Sequence, residues 1–371
     1  MKYIGAISFF VILALIAGAI IYLSNRLALF FPFIPRRVFL WGFIALIVIA
    51  FLSVSVLQTT ANPIGKTLVI FGGMACSIFL FLLFSVAIID LFNLIFRFSF
   101  QLRGILSVGL TLLLTIYGIW SAYAVHVKEV TIPVKGLTRE IKAVHLTDIH
   151  LGNFRGRKQV DRVVRIIKKL NPDVVFNTGD LFENRTHFTD GSDVLSAFRT
   201  LDVPHYFVYG NHDMWVGVEN VIQRMIDANA TVLLNEIAYF GELQIIGLNN
   251  MLPDSNSFDM HTTGSSETIE SALNKLEIKV NHPTIVLHHR PDGVNYMQEK
   301  GANLLLAGHT HAGQIFPFIY IAKLIFGYNR GLYKYKTMDI YVSEGIGTLL
   351  TPVRFGTRSE ITLIRLVTDK Q

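Results

Sequence analysis

Four apolar stretches, near residues 3–23, 38–58, 68–90 and 105–125, occupy the first third of the chain. Each runs for about 20 residues, the length an α-helix needs to cross a hydrocarbon core. From Met1 to His126 there are seven Lys/Arg and a single acid, Asp90. Helices buried inside a large soluble domain are the alternative, but four such runs in succession are too apolar for that. Trp41, Trp120 and Tyr123 fall near the expected span ends, where aromatic rings favour the membrane interface. The small-residue run Ala17-Gly18-Ala19 would suit a cleaved leader, yet the apolar stretch continues to Leu23, which favours a retained anchor. Asp90, at the end of the third span, is the one internal ionisable residue, so these helices read as an anchor rather than a transport path.

The charge distribution corrects a misreading that the pI near 9.3 invites. From Val127 to Gln371 there are 26 Lys/Arg and 26 Asp/Glu, so the whole net charge of +6 sits in the apolar third. A nucleic-acid partner is therefore not expected. Arg26, Arg36 and Arg37 fall in the first loop and Arg97 and Arg103 in the third; Lys2, Lys66, Lys128 and Lys135 lie on the opposite side. Five against four places the first and third loops in the cytoplasm and the rest of the chain on the non-cytoplasmic side. Cys76, the sole cysteine, lies in the third span and reads as a small hydrophobe.

From about Glu129 the composition becomes that of an α/β domain, with a linker at 127–139 and a domain at 140–371. Its length, about 240 residues, suffices for one core. Buried strands are expected at 142–147, 173–178, 205–209, 230–234, 243–248, 283–288 and 302–306, and alternating ones at 338–343 and 360–367. Helices are expected at 157–170, 191–200, 217–229, 266–277 and 292–300, with a polar surface loop at 250–265. Such alternation implies a mostly parallel sheet, with ligand-bearing loops at the carboxyl ends of its strands.

Those strand ends carry the chemistry. Asp148-Ile149-His150, Gly179-Asp180, Gly210-Asn211-His212-Asp213, His288-His289 and Gly308-His309-Thr310-His311 follow one another along the chain. Residues two apart on an extended chain point the same way, so Asp148 with His150, and His309 with His311, can each converge on one cation. Asp180 can bridge two ions through its two oxygens, and Asn211 offers a neutral carbonyl oxygen. Oxygen ligands mixed with imidazoles suit Mn, Fe or Zn, and two such ions together suit hydrolysis of a phosphate ester. A lone Asp-x-His or His-x-His is more often structural; five clusters in this order, each after a strand, are not. His288 and His289 point apart, so one of them ligates and the residues alone do not say which.

The series D-x-H, G-D, G-N-H-D, H-x-P and G-H-T-H resembles the calcineurin-like metallophosphoesterase superfamily. The tail GHTHAGQIFPF, GLY at 331–333, YVSEGIG at 341–347, TPVR at 351–354 and SEITLIRL at 359–366 is similar to its bacterial membrane-linked branch, some members of which hydrolyse the lipid pyrophosphate UDP-2,3-diacylglucosamine. The resemblance covers roughly 140–367. It implies a four-layer sandwich in which two mixed sheets face each other between outer helices. It implies one ion on Asp148, His150, Asp180 and His311, and another on Asp180, Asn211, His289 and His309, with a bridging water or hydroxide as nucleophile. It selects His289 over His288, because the ligand immediately precedes x-Pro. His212 would stabilise phosphoryl charge or protonate the leaving group, and Asp213 would orient His212.

Asn153, Arg155, Arg290 and Trp215 lie near these loops, where contact with substrate and ordinary solvation or packing compete as explanations. The apolar run Ile315–Phe326 either packs into the core, or dips into a membrane surface or covers an acyl chain. The domain begins about 15 residues after the fourth span, a tether of at most about 50 Å. Motifs and spans together favour a membrane-anchored dimetal phosphohydrolase acting on a phosphodiester or pyrophosphate, lipid-linked in kind. A soluble nucleotide or phosphomonoester is the alternative substrate. A scaffold without turnover is the third reading, against which the complete ligand set argues.

Overall fold

The computed structural model describes residues 2–56, 63–189, 193–255 and 267–369. It divides into two compact units, Met1–Trp120 with Leu350–Val353, and Ser121–Leu349 with Arg354–Gln371.

The first unit holds α1 (Lys2–Phe30), α2 (Arg36–Val56), α3 (Pro63–Phe96) and α4 (Phe100–Tyr123). All four are long and apolar enough to cross a membrane. Their outer faces expose Leu15, Phe51, Leu94 and Ile116, each more than half accessible. A water-soluble protein does not leave so much contiguous apolar surface open, but lipid solvates it. The inner faces carry Ser24, Ser107, Thr111 and Thr115, and three of these hydroxyls donate to the carbonyl four residues back, as Ser24 does to Ile20 at 2.7 Å. α1 runs past the expected end at Leu23 to Phe30, and Arg26 within it is neutralised in place. Asp90 on α3 accepts from Tyr22 at 2.7 Å, pairs with Arg26 at 2.6 Å and binds Arg103 of α4. Asp90 is thus a clamp joining three helices, consistent with an anchor.

The second unit contains β1 (His126–Val134), β2 (Ile141–Leu146), α5 (Arg157–Leu170), β3 (Val174–Asn177), α6 (Thr186–Thr189), β4 (His205–Phe207), α7 (Asn211–Asp227), β5 (Thr231–Val232), β6 (Glu236–Phe240), β7 (Leu243–Gly247), α8 (Ile269–Lys275), β8 (Thr284–Leu287), α9 (Val294–Glu299), β9 (Leu304–Ala307), α10 (Phe318–Ile325), β10 (Gly331–Tyr335), β11 (Met338–Val342) and β12 (Glu360–Thr368). The strands form two six-stranded sheets, ordered β1-β12-β2-β3-β4-β5 and β10-β11-β9-β8-β7-β6. Both are mixed: β12 is antiparallel to β2, β10 to β11 and β6 to β7, and the other neighbours run parallel.

Alternation along each strand distributes side chains between layers. Val174, Phe176, Ile245, Leu287, Leu306 and Tyr341 fill the space between the sheets. Val144, Val175 and Phe207 face outward, against Val163 and Ile167 of α5 and Val221 and Met225 of α7. On the far side Ile246, Val286 and Leu305 meet Ala272 of α8 and Met297 of α9. The result is the four-layer arrangement that the resemblance implied. α5 forms where Val160, Val163, Val164 and Ile167 repeat at helical spacing. It stops at Asn171, which turns left-handed and donates its N–H to the Ile167 carbonyl.

Several local expectations change. The linker at 127–139 carries β1, a nine-residue edge strand paired with β12. Its Ile132 and Val134 point inward, and Pro133 is tolerated because an edge strand has a free side. The helix expected near 191–200 is the 3-10 turn Ser196–Thr200. α7 begins at Asn211, well before 217, and is broken by non-helical Gly217. Most of the polar loop at 250–265 lies outside the described residues.

Candidate metal centre

The carboxyl ends of β2, β3, β4, β8 and β9 meet at one place, and the clustered residues leave the strands there. The chain turns sharply at each. Asp148, His150, Asp180, His309 and His311 all have positive φ, between 47° and 72°. Non-glycine residues rarely adopt that conformation, and it persists where surrounding structure imposes it. The side chains of Asp148 and His150 therefore converge from left-handed turns rather than from an extended chain. The loop is held by N–H donation from Asp148 to the Gly179 carbonyl at 2.8 Å and from His150 to the Asp180 carbonyl at 3.1 Å. Gly179, φ 89°, is required twice over: a Cβ there would also collide with the Gly210 nitrogen.

Two sets of ligand atoms share one oxygen. In the first, His311 Nε2 lies 3.0 Å from His150 Nε2 and 3.4 Å from Asp148 Oδ1, while His150 Nε2 is 3.7 Å from Asp148 Oδ1 and from Asp180 Oδ2. In the second, Asp180 Oδ2 lies 3.1 Å from His289 Nε2, which is 3.3 Å from His309 Nδ1. Neighbouring ligands 2.1 Å from one ion are separated by about 3.0 Å in octahedral and about 3.4 Å in tetrahedral geometry. His212 joins a third group with His150 and Asp180, within 4.8 Å.

Hydrogen bonding fixes which imidazole nitrogens face inward. His150 Nδ1 donates to Glu183 Oε2 at 2.5 Å, and His289 Nδ1 to the Thr178 carbonyl at 2.7 Å. In the neutral imidazole each Nε2 is left as an acceptor beside carboxylate oxygens, themselves acceptors. Such a convergence attracts a cation, a metal ion or a proton. Burial opposes a proton on His150, but Glu183, Asp148 and Asp180 outweigh it and push its pKa up to about 10. Burial likewise opposes and Asp180 outweighs it at His289, raised to about 9. His309 is pushed down to about 3 and His311 far below its usual value, by burial first and then by neighbouring cationic groups. Both Asp148 and Asp180 lie below the usual carboxylate range, because the surrounding histidines overcome burial. Asn211 Oδ1 is buried with no hydrogen-bond partner among the described residues, as expected of an oxygen reserved for an ion. The residues present therefore fit divalent ions by donor set and by orientation.

His288 does not face this centre through its Nδ1, which donates to the Arg290 carbonyl at 2.6 Å; burial lowers its pKa to about 3. Asp213 is not placed to orient His212. Its Oδ1 accepts the N–H groups of Leu181 and Phe182 at 2.9 and 3.1 Å, and its Oδ2 accepts that of Gly210 at 3.0 Å. As third residue of α7 it folds back on the helix N-terminus and ties two ligand loops together. The carboxylate beside His212 is Glu183, 3.2 Å from Nδ1. Nothing in the sequence singled out Glu183, whose only signal is its place three residues after Asp180. Arg354 also went unassigned. Fully buried, it donates to the carbonyls of Glu344, Gly345 and Gly347 at 2.6–3.1 Å, and its Nη2 lies 3.3 Å from His311 Nδ1.

Among the neighbouring candidates, Arg155 is buried and donates to Thr348 and to the Ala122 carbonyl. Arg290 pairs with Asp292 at 2.9 Å, and Asn153 accepts from Thr186. Trp215 is 47% exposed with its ring 4.6 Å from that of His212, at the edge of the centre.

Residues 141–313 match the calcineurin-like phosphoesterase family. An uncharacterised metallophosphoesterase of Helicobacter pylori is 33% identical over 66% of this chain and 65% of its own length. A Bos taurus protein described as a transmembrane protein with metallophosphoesterase domain is 34% identical over 71% of this chain and 62% of its own. The chain thus spans somewhat less than two thirds of these relatives. A dimetal phosphatase from Danio rerio of known structure aligns at 11% identity over 55% of this chain and 87% of that one, with a TM-score of 0.38, too loose a likeness to argue from. Behind four membrane-length apolar helices, this chain carries a calcineurin-like metallophosphoesterase domain.

Proposed function

We propose that the chain is a membrane-anchored, dinuclear metal-dependent phosphohydrolase that cleaves a phosphodiester or pyrophosphate bond of a lipid-linked substrate. The observation that carries this reading is the position of Asp180 Oδ2, common to the His150 and His289 ligand sets, together with an Asn211 Oδ1 that is buried without a hydrogen-bond partner among the described residues. Asp148, His150, Asp180 and His311 would hold one ion, and Asp180, Asn211, His289 and His309 the other. Mn, Fe or Zn suits this donor set. When bound, such ions supply Lewis-acid charge and lower the pKa of the attacking water.

The remaining steps belong to the chain. His212, buried and thereby held below its usual pKa, would reach a phosphoryl or leaving-group oxygen from its place beside His150 and Asp180. Glu183 holds His150 by a hydrogen bond and lies beside His212. Asp213 and Arg354 hold the loops that present the ligands. The bias of five arginines against four lysines supports a domain on the non-cytoplasmic side.

The test is a turnover panel on the full chain in lipid nanodiscs with Mn, comparing acylated pyrophosphates and phosphodiesters, the same headgroups without chains, and aryl phosphates. Faster turnover of acylated substrates supports the reading. Equal rates with and without chains would move the substrate to the soluble class, and no turnover of any of them would refute hydrolysis.

A further inference from the structure

α10 presents its apolar side outward. Of its eight residues only Ala322 is buried, and Ile319 is half-buried one turn earlier. These two form the face against the domain. Phe318, Tyr320, Ile321, Leu324 and Ile325 lie on the other face and are 45, 60, 48, 87 and 66% exposed. The one charged residue, Lys323, stands at the margin. A helix on a water-facing surface has the reverse polarity. Core packing, which does account for Ile315 and Ala322, therefore does not account for the outward face of α10.

We propose that α10 is an interfacial helix that lies in the surface of the bilayer spanned by the chain's own apolar helices. Three features on this chain favour lipid over a protein partner. As membrane spans, the four apolar helices would tether the domain that carries α10 to a bilayer. The outward face combines aliphatic residues with two aromatic residues and a marginal lysine, the composition that settles at the boundary between acyl chains and headgroups. The helix also follows directly on the 3-10 turn His311–Gly313, and the Phe326 ring at its end lies edge-on to His309, 5.6 Å between centroids. A helix seated in the interface would hold the metal-ligand loop at headgroup depth, where the phosphate of a lipid resides. The inference rests on the membrane reading of the apolar helices and does not require turnover.

Depth-resolved quenching tests it. In a Cys76→Ala background, which removes the sole cysteine, Leu324→Cys and Ile321→Cys carry an environment-sensitive fluorophore in the full chain in nanodiscs. Val280→Cys, at a position 72% exposed between Lys279 and Asn281, is the control. Probes on α10 should emit to the blue and be quenched several-fold more by nitroxide-bearing lipids than by iodide, with the reverse at position 280. Metal content equal to the parent shows that each variant retains the centre. Iodide quenching on α10 equal to that at position 280 would overturn the proposal. Protection from both quenchers would also overturn it, by showing that protein, a second copy or another part of this chain, covers the helix.

Discussion

Glu183→Gln isolates one contact network, because the side chain keeps its shape and loses its charge. One oxygen of Glu183 lies 2.5 Å from His150 Nδ1 and 3.2 Å from His212 Nδ1. A hydrogen bond to a charged group contributes about 1.5–3 kcal/mol and a neutral one about 0.5–1.5, so His150, which is hydrogen-bonded to Glu183, loses on the order of 1–1.5 kcal/mol, whereas His212 loses only the proximity of the charge. Two effects oppose at His150. Glu183 also stabilises its proton, which competes with metal up to a pKa of about 10. The ion carries twice the proton's charge at the same nitrogen, so the ion-bound state loses more when Glu183 is neutralised. Metal affinity should fall about 10–100-fold, as for other groups that orient a ligand. At saturating metal, kcat should fall by no more than about 10-fold through the weaker contact with His212, with KM little changed, since 1.4 kcal/mol is a factor of ten. Titration with Mn followed by bound-metal analysis and steady-state kinetics reads both numbers. Glu183→Asp, which restores the charge, should recover part of each. A Glu183→Gln protein with a lower melting temperature but unchanged metal affinity and kcat would show that Glu183 is merely structural.

Three further outcomes follow from the same geometry. His212→Ala should keep its metal but lose kcat about 10²–10⁴-fold, as for a lost proton donor; loss of metal instead would make it a ligand. His289→Ala should lower metal content and His288→Ala should leave it intact, since only His289 directs a free nitrogen at Asp180; elemental analysis decides, and the reverse pattern would exchange their roles. His205 is buried with both ring nitrogens unpartnered among the described residues, and burial lowers its pKa to about 4. The folded state resists a proton that the unfolded chain accepts near 6.5, so stability is complete above that pH and is lost as pH falls towards 4, by on the order of 3 kcal/mol. Denaturation of His205→Phe across this range should show a shallower pH dependence; an unchanged one would contradict it.

How much of this was legible in the sequence depended on whether the signal was local. The apolar helices and the α/β alternation are periodic, and α5 appeared where Val160, Val163, Val164 and Ile167 said it should. Edge strands were harder: β1, β6 and β10 are only partly buried, and Pro133 argues against a strand unless its position at the sheet edge is known. The histidines and aspartates at the centre were visible as clusters, but their left-handed backbone was not, since glycine is the residue that normally announces it. The resemblance implied that Asp213 orients His212, whereas its position in the first turn of α7 sends the carboxylate to Gly210. Glu183 and Arg354 act through contacts with His150, His212 and His311 that only the assembled loops bring about.

The central claim is a pair of ions sharing Asp180. Elemental analysis of the full chain saturated with Mn and freed of excess metal measures it directly. Two ions per chain are predicted, falling to about one in His289→Ala and to essentially none in Asp180→Ala, since removing the shared ligand weakens both sites. One ion in the parent protein, or a single ion retained by Asp180→Ala at undiminished affinity, would contradict the account.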